Sequence, residues 1–517
     1  MQEPPFVPLP TRLALLAEQV PDEIVLIDGT RQISRRELQT LTAQLAARLH
    51  ADDVGPGDTV AGLCGVQWQS LALFIAVLST GACMVPLAGM ASDEALVHML
   101  RDCGSRHLFA SARFADRLDP IAEAAGIDQR VLLSGDESAP HPLPQWLDSV
   151  AGSAPDYTSA PEDFFNIIYS SGTTGTPKGI VHDHRFRDRQ IRRFATFGLG
   201  RDSVNLVSTP LYSNTTLVSV IPTLALGGKL VLLDKFDTRA FLQLAEQHRV
   251  THAMLVPVQY QRLLAEPEFD RFDLSSFSAK FSTSAPLRKP IIADAMARWP
   301  GNLIEVYGLT EGGISTLLDC AAHPDKWDTV GQAVAGAQIV ILSDDGKELG
   351  PGQRGEVAGR AGAMMRGYLN RPDKTAEILW QNAAGETYFR SGDIGMLDED
   401  GFLTLLDRRK DMIISGGFNV YAEDLEQALL AHPAVRDAAV IAIPSTRWGE
   451  TPLGIIVLAD DAGVGTDTIL QNVNSRLGKT QRLAGLVETD VLPRNAIGKI
   501  LKRELRDHFR DYAQAHD

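Results

Sequence analysis

Cysteine is scarce in this sequence, long apolar runs are missing, and basic residues are outnumbered. Only four cysteines stand in 517 residues. Cys64, Cys83, Cys103 and Cys320 have neither Cys-x-x-Cys spacing nor a histidine cluster beside them, so neither a zinc site nor a disulfide framework organises the chain. They are expected to be reduced and buried. The longest purely apolar run, residues 71–78, is eight residues, against the ~20 that a membrane-spanning helix needs. Lysine and arginine number 49 against 65 acidic residues, a net charge of -16. Phosphate backbones are bound by basic surfaces, so a nucleic-acid partner is excluded. The segment Met1-Gln2-Glu3-Pro4-Pro5 lacks the basic and apolar parts of a secretory leader, and a cytoplasmic location is expected. Internal repeats and low-complexity segments are missing as well.

What is present is a regular alternation. Short β-like runs at residues 24–27, 59–63 and 84–87 are separated by helical patterns at 34–49 and 69–79. The pattern resumes at Phe164, 205–208, 229–233 and 252–256. Strands alternating with helices of this length predict βαβ units and parallel sheets covered on both faces. From about residue 335 short strands with Gly/Asp turns take over, at 337–342 and 355–358, and predict a small β-rich part. Beyond Lys410 come a helix at 424–431, strands at 438–443 and 454–458, and a helix from Asp467. That is an α+β unit of about a hundred residues, the size of a small domain. A chain of this length is expected to form two to four units.

The densest chemistry lies at Tyr169-Ser170-Ser171-Gly172-Thr173-Thr174-Gly175-Thr176-Pro177-Lys178-Gly179, directly after an apolar strand pattern. The glycines let backbone N–H groups turn inward as an anion nest, the hydroxyls add donors, and Lys178 adds a point charge. This is a loop suited to phosphate. It is not a Walker A loop, which requires Gly-Lys-Ser/Thr where this chain has Pro177-Lys178-Gly179. A Gly/Ser linker is the alternative on composition alone.

This stretch resembles the phosphate-binding signature of the adenylate-forming superfamily, which includes acyl-CoA synthetases, nonribosomal peptide adenylation domains and firefly-type luciferases. Further segments appear in that superfamily's order: Ser284-Ala285-Pro286, Tyr307-Gly308-Leu309-Thr310-Glu311, Tyr388-Phe389-Arg390-Ser391-Gly392-Asp393 and Asp407-Arg408-Arg409-Lys410-Asp411. Ser415-Gly416-Gly417-Phe418-Asn419-Val420-Tyr421 and Pro493-Arg494-Asn495-Ala496-Ile497-Gly498-Lys499 follow. The resemblance covers nearly the whole chain and points to the acyl- or aryl-CoA ligase branch.

The resemblance implies an α/β fold: a large N-terminal domain, residues 1–409, of βαβ-type sheets with a small β-rich subdomain, then a small mobile α+β lid, residues 410–517. It implies ATP, Mg²⁺ and coenzyme A as co-substrates and cofactors, and a small carboxylic acid as the other partner. Ser170, Ser171, Gly172, Thr173, Thr174, Gly175 and Lys178 would hold phosphates. Thr310 would touch phosphate and Glu311 would bind Mg²⁺. Ser284, Ala285, Pro286 and Tyr307 would hold adenine, with Gly308 also at the nucleotide; Asp393 would bind the ribose, and Arg408 the ribose or a phosphate. Lys499 would be the catalytic lysine and Lys410 the hinge. Ser415, Gly416, Gly417, Phe418 and Trp448 would border coenzyme A. A homodimer and a lysine acetyltransferase acting on Lys499 are further partners the reading allows. Each residue also has a plain structural reading: a helix cap for Thr310 and Glu311, an Asx-turn for Asp393, a surface lysine for Lys499.

Two departures from the family pattern stand out. Pro210-Leu211-Tyr212-Ser213-Asn214 carries Ser213 where many relatives have histidine, and Thr480-Gln481 replaces a usual Tyr-Lys pair. Tyr212, Ser213 and Asn214 are expected to line the acyl pocket, favouring a compact, aromatic, alicyclic or oxygen-bearing acid over a long alkyl chain. The alternative is that Asn214 and its threonines cap the following helix. Arg185, Arg187, Arg189, Arg192 and Arg193 follow the phosphate loop, with Arg185, Arg189 and Arg192 on one helical side. A solvated face and a site for the nucleotide phosphates of coenzyme A are both open there.

Overall fold

Local chemistry sets the element boundaries that matter for the site. Ser34 ends a strand and starts the helix Arg35–Ala51 by a capping box, its hydroxyl accepting from the Glu37 N–H while the Glu37 carboxylate reaches back. The helix Trp68–Ser79 has no polar face and is buried at every position but Gln69 and Ser79, as an all-round apolar helix must be. The computed structural model describes residues 5–148, 157–170, 177–408, 411–415, 418–445, 449–459, 463–477, 482–495, 498–510 and 512.

The chain divides into two compact units. The first takes residues 1–327, 334–338 and 360–389, the second 328–333, 339–359 and 390–517. The small β-rich stretch after residue 338 thus groups largely with the C-terminal residues.

Two sheets build the first unit. One runs in the order Ser315–Asp319, Asn302–Gly308, Ala279–Thr283, His252–Leu255, Val204–Val207, Lys229–Leu232, Ile24–Asp28, Arg31–Ser34. Its interior pairs are parallel and its pairs at those two ends antiparallel. The other runs Gly367–Tyr368, Lys178–Asp183, Phe164–Ser170, Cys83–Pro86, Thr59–Leu63, His107–Ser111, Gln129–Leu133, parallel except where Lys178–Asp183 pairs with its two neighbours. The main core joins residues of both sheets, such as Leu26, Leu230, Val60 and Phe165, around the helices Arg35–Ala51 and Trp68–Ser79. Burial on both faces is what crossover helices impose on parallel strands. All four cysteines are buried and unbridged.

In the second unit, residues 393–397 of the strand Thr387–Leu397 pair antiparallel with Leu403–Arg408. A further sheet runs Phe418–Val420, Ile413–Ser415, Gly449–Leu458, Val435–Ser445, with Gly485–Glu488 added parallel to Gly449–Leu458. The helices Ala422–Leu430 and Thr466–Arg476 cover one face through Leu425, Leu429, Ile469 and Val473. No helix among the described residues is long and apolar enough to cross a membrane.

Candidate active site

In the first unit, the candidate residues gather just beyond the carboxyl ends of parallel strands, where open α/β sheets bind ligands. Phe164–Ser170 delivers Ser170, Ala279–Thr283 delivers Ser284 to Pro286, and Asn302–Gly308 delivers Thr310 and Glu311. The phosphate loop joins the two strands of a hairpin: Ser170 pairs with Lys178, so the lysine opens the return strand. The loop residues Ser171, Gly172, Thr173, Thr174 and Gly175 lie outside the described residues.

Lys178 and Glu311 meet through a residue that motif reading passes over. The Tyr368 hydroxyl donates to Glu311 Oε1 at 2.8 Å, and the Lys178 ammonium lies 5.0 Å from the Tyr368 ring centroid, within cation–π reach. Burial and the adjacent Glu311 carboxylate hold the Tyr368 hydroxyl well above the ordinary tyrosine range, so it stays a donor. The turn after Glu311 depends on Gly312 and Gly313, both at positive φ. A Cβ on Gly312 would meet the Ala363 carbonyl at 2.3 Å, and that close approach lets Gly313 N–H donate to Ala363 and Met365 N–H donate to Glu311. Tyr368 carries a signal in hindsight: it follows Arg366-Gly367 within an edge strand that pairs with Lys178–Asp183.

Ser284 sits at φ 77°, a backbone region uncommon for a residue with a Cβ, and its hydroxyl shares a hydrogen bond of 2.8 Å with Thr215. Below this segment the Leu287 N–H donates to Glu305 Oε1 at 3.2 Å. Glu305 is fully buried, and burial pushes its carboxyl up to about 7. Tyr307 and Gly308 end the strand Asn302–Gly308, while Ala285 is half-buried and Pro286 exposed.

The residues expected at the acyl pocket divide by role. Ser213, in the histidine's place, is the N-cap of the helix Asn214–Ala225, its hydroxyl accepting from the Thr215 N–H. The cap expected of Asn214 and the threonines therefore belongs to Ser213. Thr216 donates to Pro210 O, and its oxygen shares a second hydrogen bond with the Thr209 hydroxyl. Tyr212 is half-buried, and burial raises its hydroxyl.

Of the arginines after the loop, Arg185 pairs with Glu162, Arg192 with Asp188, and Arg193 donates to Ser315. Arg185, Arg189 and Arg366 line a surface cleft of about 250 Å³ with Asp183. Arg187 does none of this: it is 1% exposed and turned into the protein. Helical spacing could not single it out.

In the second unit, Asp393 and Arg408 stand opposite one another on paired strands, with Arg408 Nε 3.0 Å from Asp393 Oδ1. Asp407 beside them accepts from the Ala422 N–H at 2.6 Å and from the Arg408 N–H, so its half-buried carboxylate, pushed up to about 6 by desolvation, anchors the start of Ala422–Leu430. Asp411 pairs with Arg506. Both flanks of Lys410 are thus tied, while Lys410 itself lies outside the described residues, as do Gly416, Gly417 and Trp448. Ser415 is buried on its strand, and Phe418 opens the strand paired with it. Lys499 closes a turn in which its N–H donates to Asn495 Oδ1 and its carbonyl accepts from the Asn495 N–H.

The model of the AMP-binding enzyme family matches residues 14–369, and that of the AMP-binding enzyme C-terminal domain matches residues 424–499. The chain belongs to the AMP-binding enzyme family, and within it to the AMP-forming acyl-CoA synthetases. A feruloyl-CoA synthase of an Amycolatopsis species is 33% identical over 95% of this chain and 97% of its own. A 4-coumarate–CoA ligase of Oryza sativa subsp. japonica is 30% identical over 97% of this chain and 92% of its own. Among solved structures, ATP-bound MatB from Rhodopseudomonas palustris superposes with a TM-score of 0.86 at 26% identity, covering 98% of this chain and 99% of that one.

Proposed function

We propose that this enzyme joins a small carboxylic acid to coenzyme A in two steps through an acyl-adenylate. In the first, a carboxylate oxygen attacks the α-phosphorus of ATP and the bond to the pyrophosphate leaving group breaks. Negative charge gathers on phosphate oxygens, and donors already in place lower the barrier. Lys178 and the loop from Ser170 supply those donors to the phosphates, with the Thr310 hydroxyl as a further contact. Asp393 accepts from the ribose hydroxyls and Arg408 accompanies it. Lys499 brings the two repelling anions together. In the second step the coenzyme A thiol, having given up its proton, attacks the acyl carbon and AMP leaves. Ser415, Gly416, Gly417, Phe418 and Trp448 border the pantetheine arm, and Lys410 absorbs the backbone rotation that separates the two steps.

Glu311 suits a hard cation that keeps most of its waters. One of its oxygens is oriented by Tyr368, and no larger group of metal-ligating side chains forms among the described residues. Bound there, Mg²⁺ would neutralise phosphate charge.

The observation that carries this reading is the chain from Lys178 through Tyr368 to Glu311, which joins two separate motifs in one charged site. Pyrophosphate release across a broad panel of acids, with and without coenzyme A, tests it. Acid-dependent release and a thioester formed only with coenzyme A are expected. No release with any acid would overturn it. Thioester on a carrier-protein phosphopantetheine, and none on free coenzyme A, would favour a stand-alone loading enzyme instead.

A further inference from the structure

Arg187 is a buried cation whose hydrogen-bond partners are all neutral. Its Nε and Nη2 donate to Asn166 Oδ1 at 3.0 and 2.7 Å. Nη1 donates to Gln190 Oε1 at 2.8 Å and Asn214 Oδ1 at 2.9 Å, and Nη2 faces His182 Nδ1 at 3.0 Å. All five guanidinium N–H groups are thereby used. Burial pulls its pKa down to about 9, so the charge remains at neutral pH.

Arginine has no acceptor, and that fact orients every partner. His182 Nδ1 must be unprotonated, because Arg187 and the Asn166 amide nitrogen both point at it. Its Nε2–H then donates to the Thr310 carbonyl at 2.7 Å, and burial with the Arg187 charge keeps the ring neutral. Asn166 turns its oxygen to Arg187 and its nitrogen to His182. Asn214 must likewise turn Oδ1 to Arg187, which leaves its Nδ2 hydrogens facing the other way.

Those hydrogens have no acceptor among the described residues, whereas the hydroxyls at the start of the helix are occupied: Ser213 by the cap, Thr215 by Ser284, Thr216 by Thr209 and Pro210. Asn214 is half-exposed while the next three residues are buried.

We infer that Arg187 locks the Asn214 amide as a hydrogen-bond donor toward the acid, so that the enzyme selects acids bearing an unprotonated oxygen acceptor: an ether, carbonyl or second carboxylate oxygen. Arg187 is a positioning residue in this, acting through Asn214. The inference rests on the reading that the first turn of Asn214–Ala225 walls the acid pocket.

Near-isosteric substituents decide it. On the acid scaffold turned over best, methoxy, ethyl, amino and methyl groups are placed in turn at each position of the far end, and kcat/KM is read from pyrophosphate release. At one position methoxy should exceed ethyl about tenfold, one good hydrogen bond, with no gain of amino over methyl. Asn214→Asp, which offers acceptors only, should abolish the methoxy gain and favour amino. Arg187→Met, whose fold is checked by thermal melting, frees the amide to turn and should bring the two ratios together. If Arg187→Met melts below the assay temperature, Asn214→Asp alone decides. Equal methoxy and ethyl rates at every position, or a methoxy preference that survives Asn214→Asp, overturns the inference. No pyrophosphate with any acid overturns the ligase reading beneath it.

Discussion

The Tyr368 hydroxyl holds Glu311 Oε1 at 2.8 Å across 57 positions of sequence, and the same ring carries Lys178 over its face. One side chain thus orients the carboxylate read as the metal ligand and the ammonium read as the phosphate contact. Tyr368→Phe keeps the ring and deletes the hydrogen bond to a charged group, worth about 1.5–3 kcal/mol. The expected outcome is a fall of roughly tenfold or more in kcat/KM for ATP and a higher Mg²⁺ requirement. Pyrophosphate release titrated with ATP and Mg²⁺ checks this, and unchanged titrations would remove Tyr368 from the site.

Lys499→Ala should nearly abolish acyl-adenylate formation while sparing thioester formation from supplied acyl-AMP. A positioned charge at a developing phosphate anion is worth ~3 kcal/mol, about a hundredfold in rate. Assaying the two half-reactions separately reads the difference. Equal damage to both would deny the lysine a role confined to adenylation.

Lys410→Pro should permit adenylation and block transfer to coenzyme A, because proline fixes φ near -65° and resists a large rotation. Single-turnover assays separate the steps. A variant that performs both at the normal rate places the pivot elsewhere.

Glu305 makes stability depend on pH. Its carboxyl titrates near 4.5 when unfolded and, through burial, at about 7 when folded. The folded state keeps the proton longer, so its advantage is complete below pH 4.5 and is lost as pH rises through 7. The linked loss is about 3 kcal/mol. Glu305→Gln keeps an acceptor for the Leu287 N–H without the charge. Its melting temperature should exceed that of the natural protein at pH 8 and approach it at pH 5. Parallel melting curves across this range would contradict the assignment.

The fold was legible where periodicity is strong. The strands expected at 59–63 and 229–233 appear as Thr59–Leu63 and Lys229–Leu232, and the helix expected at 34–49 as Arg35–Ala51, because each combines a clear period with a cap or turn. The site was legible only as motifs. Tyr368 escaped motif reading because its partners are remote in sequence, and Arg187 gave no sign because arginine is almost never fully buried. Its acceptors come from two strands and two helices, a convergence that only packing produces. Ser213 and Asn214 are both good cap residues, and the choice between them depends on Arg187 claiming the Asn214 oxygen.

The four buried cysteines have a practical consequence. Burial pushes the thiols of Cys64 and Cys320 up to about 12 and that of Cys103 to about 11, with Cys83 raised further. Thiolates, not thiols, attack disulfide reagents, so the folded protein should be silent toward them. Free coenzyme A left in timed samples can then be titrated with a chromogenic thiol reagent on a flat background, alongside pyrophosphate release. A protein whose own sulfur is hidden is well matched to a reaction whose acceptor is a thiol.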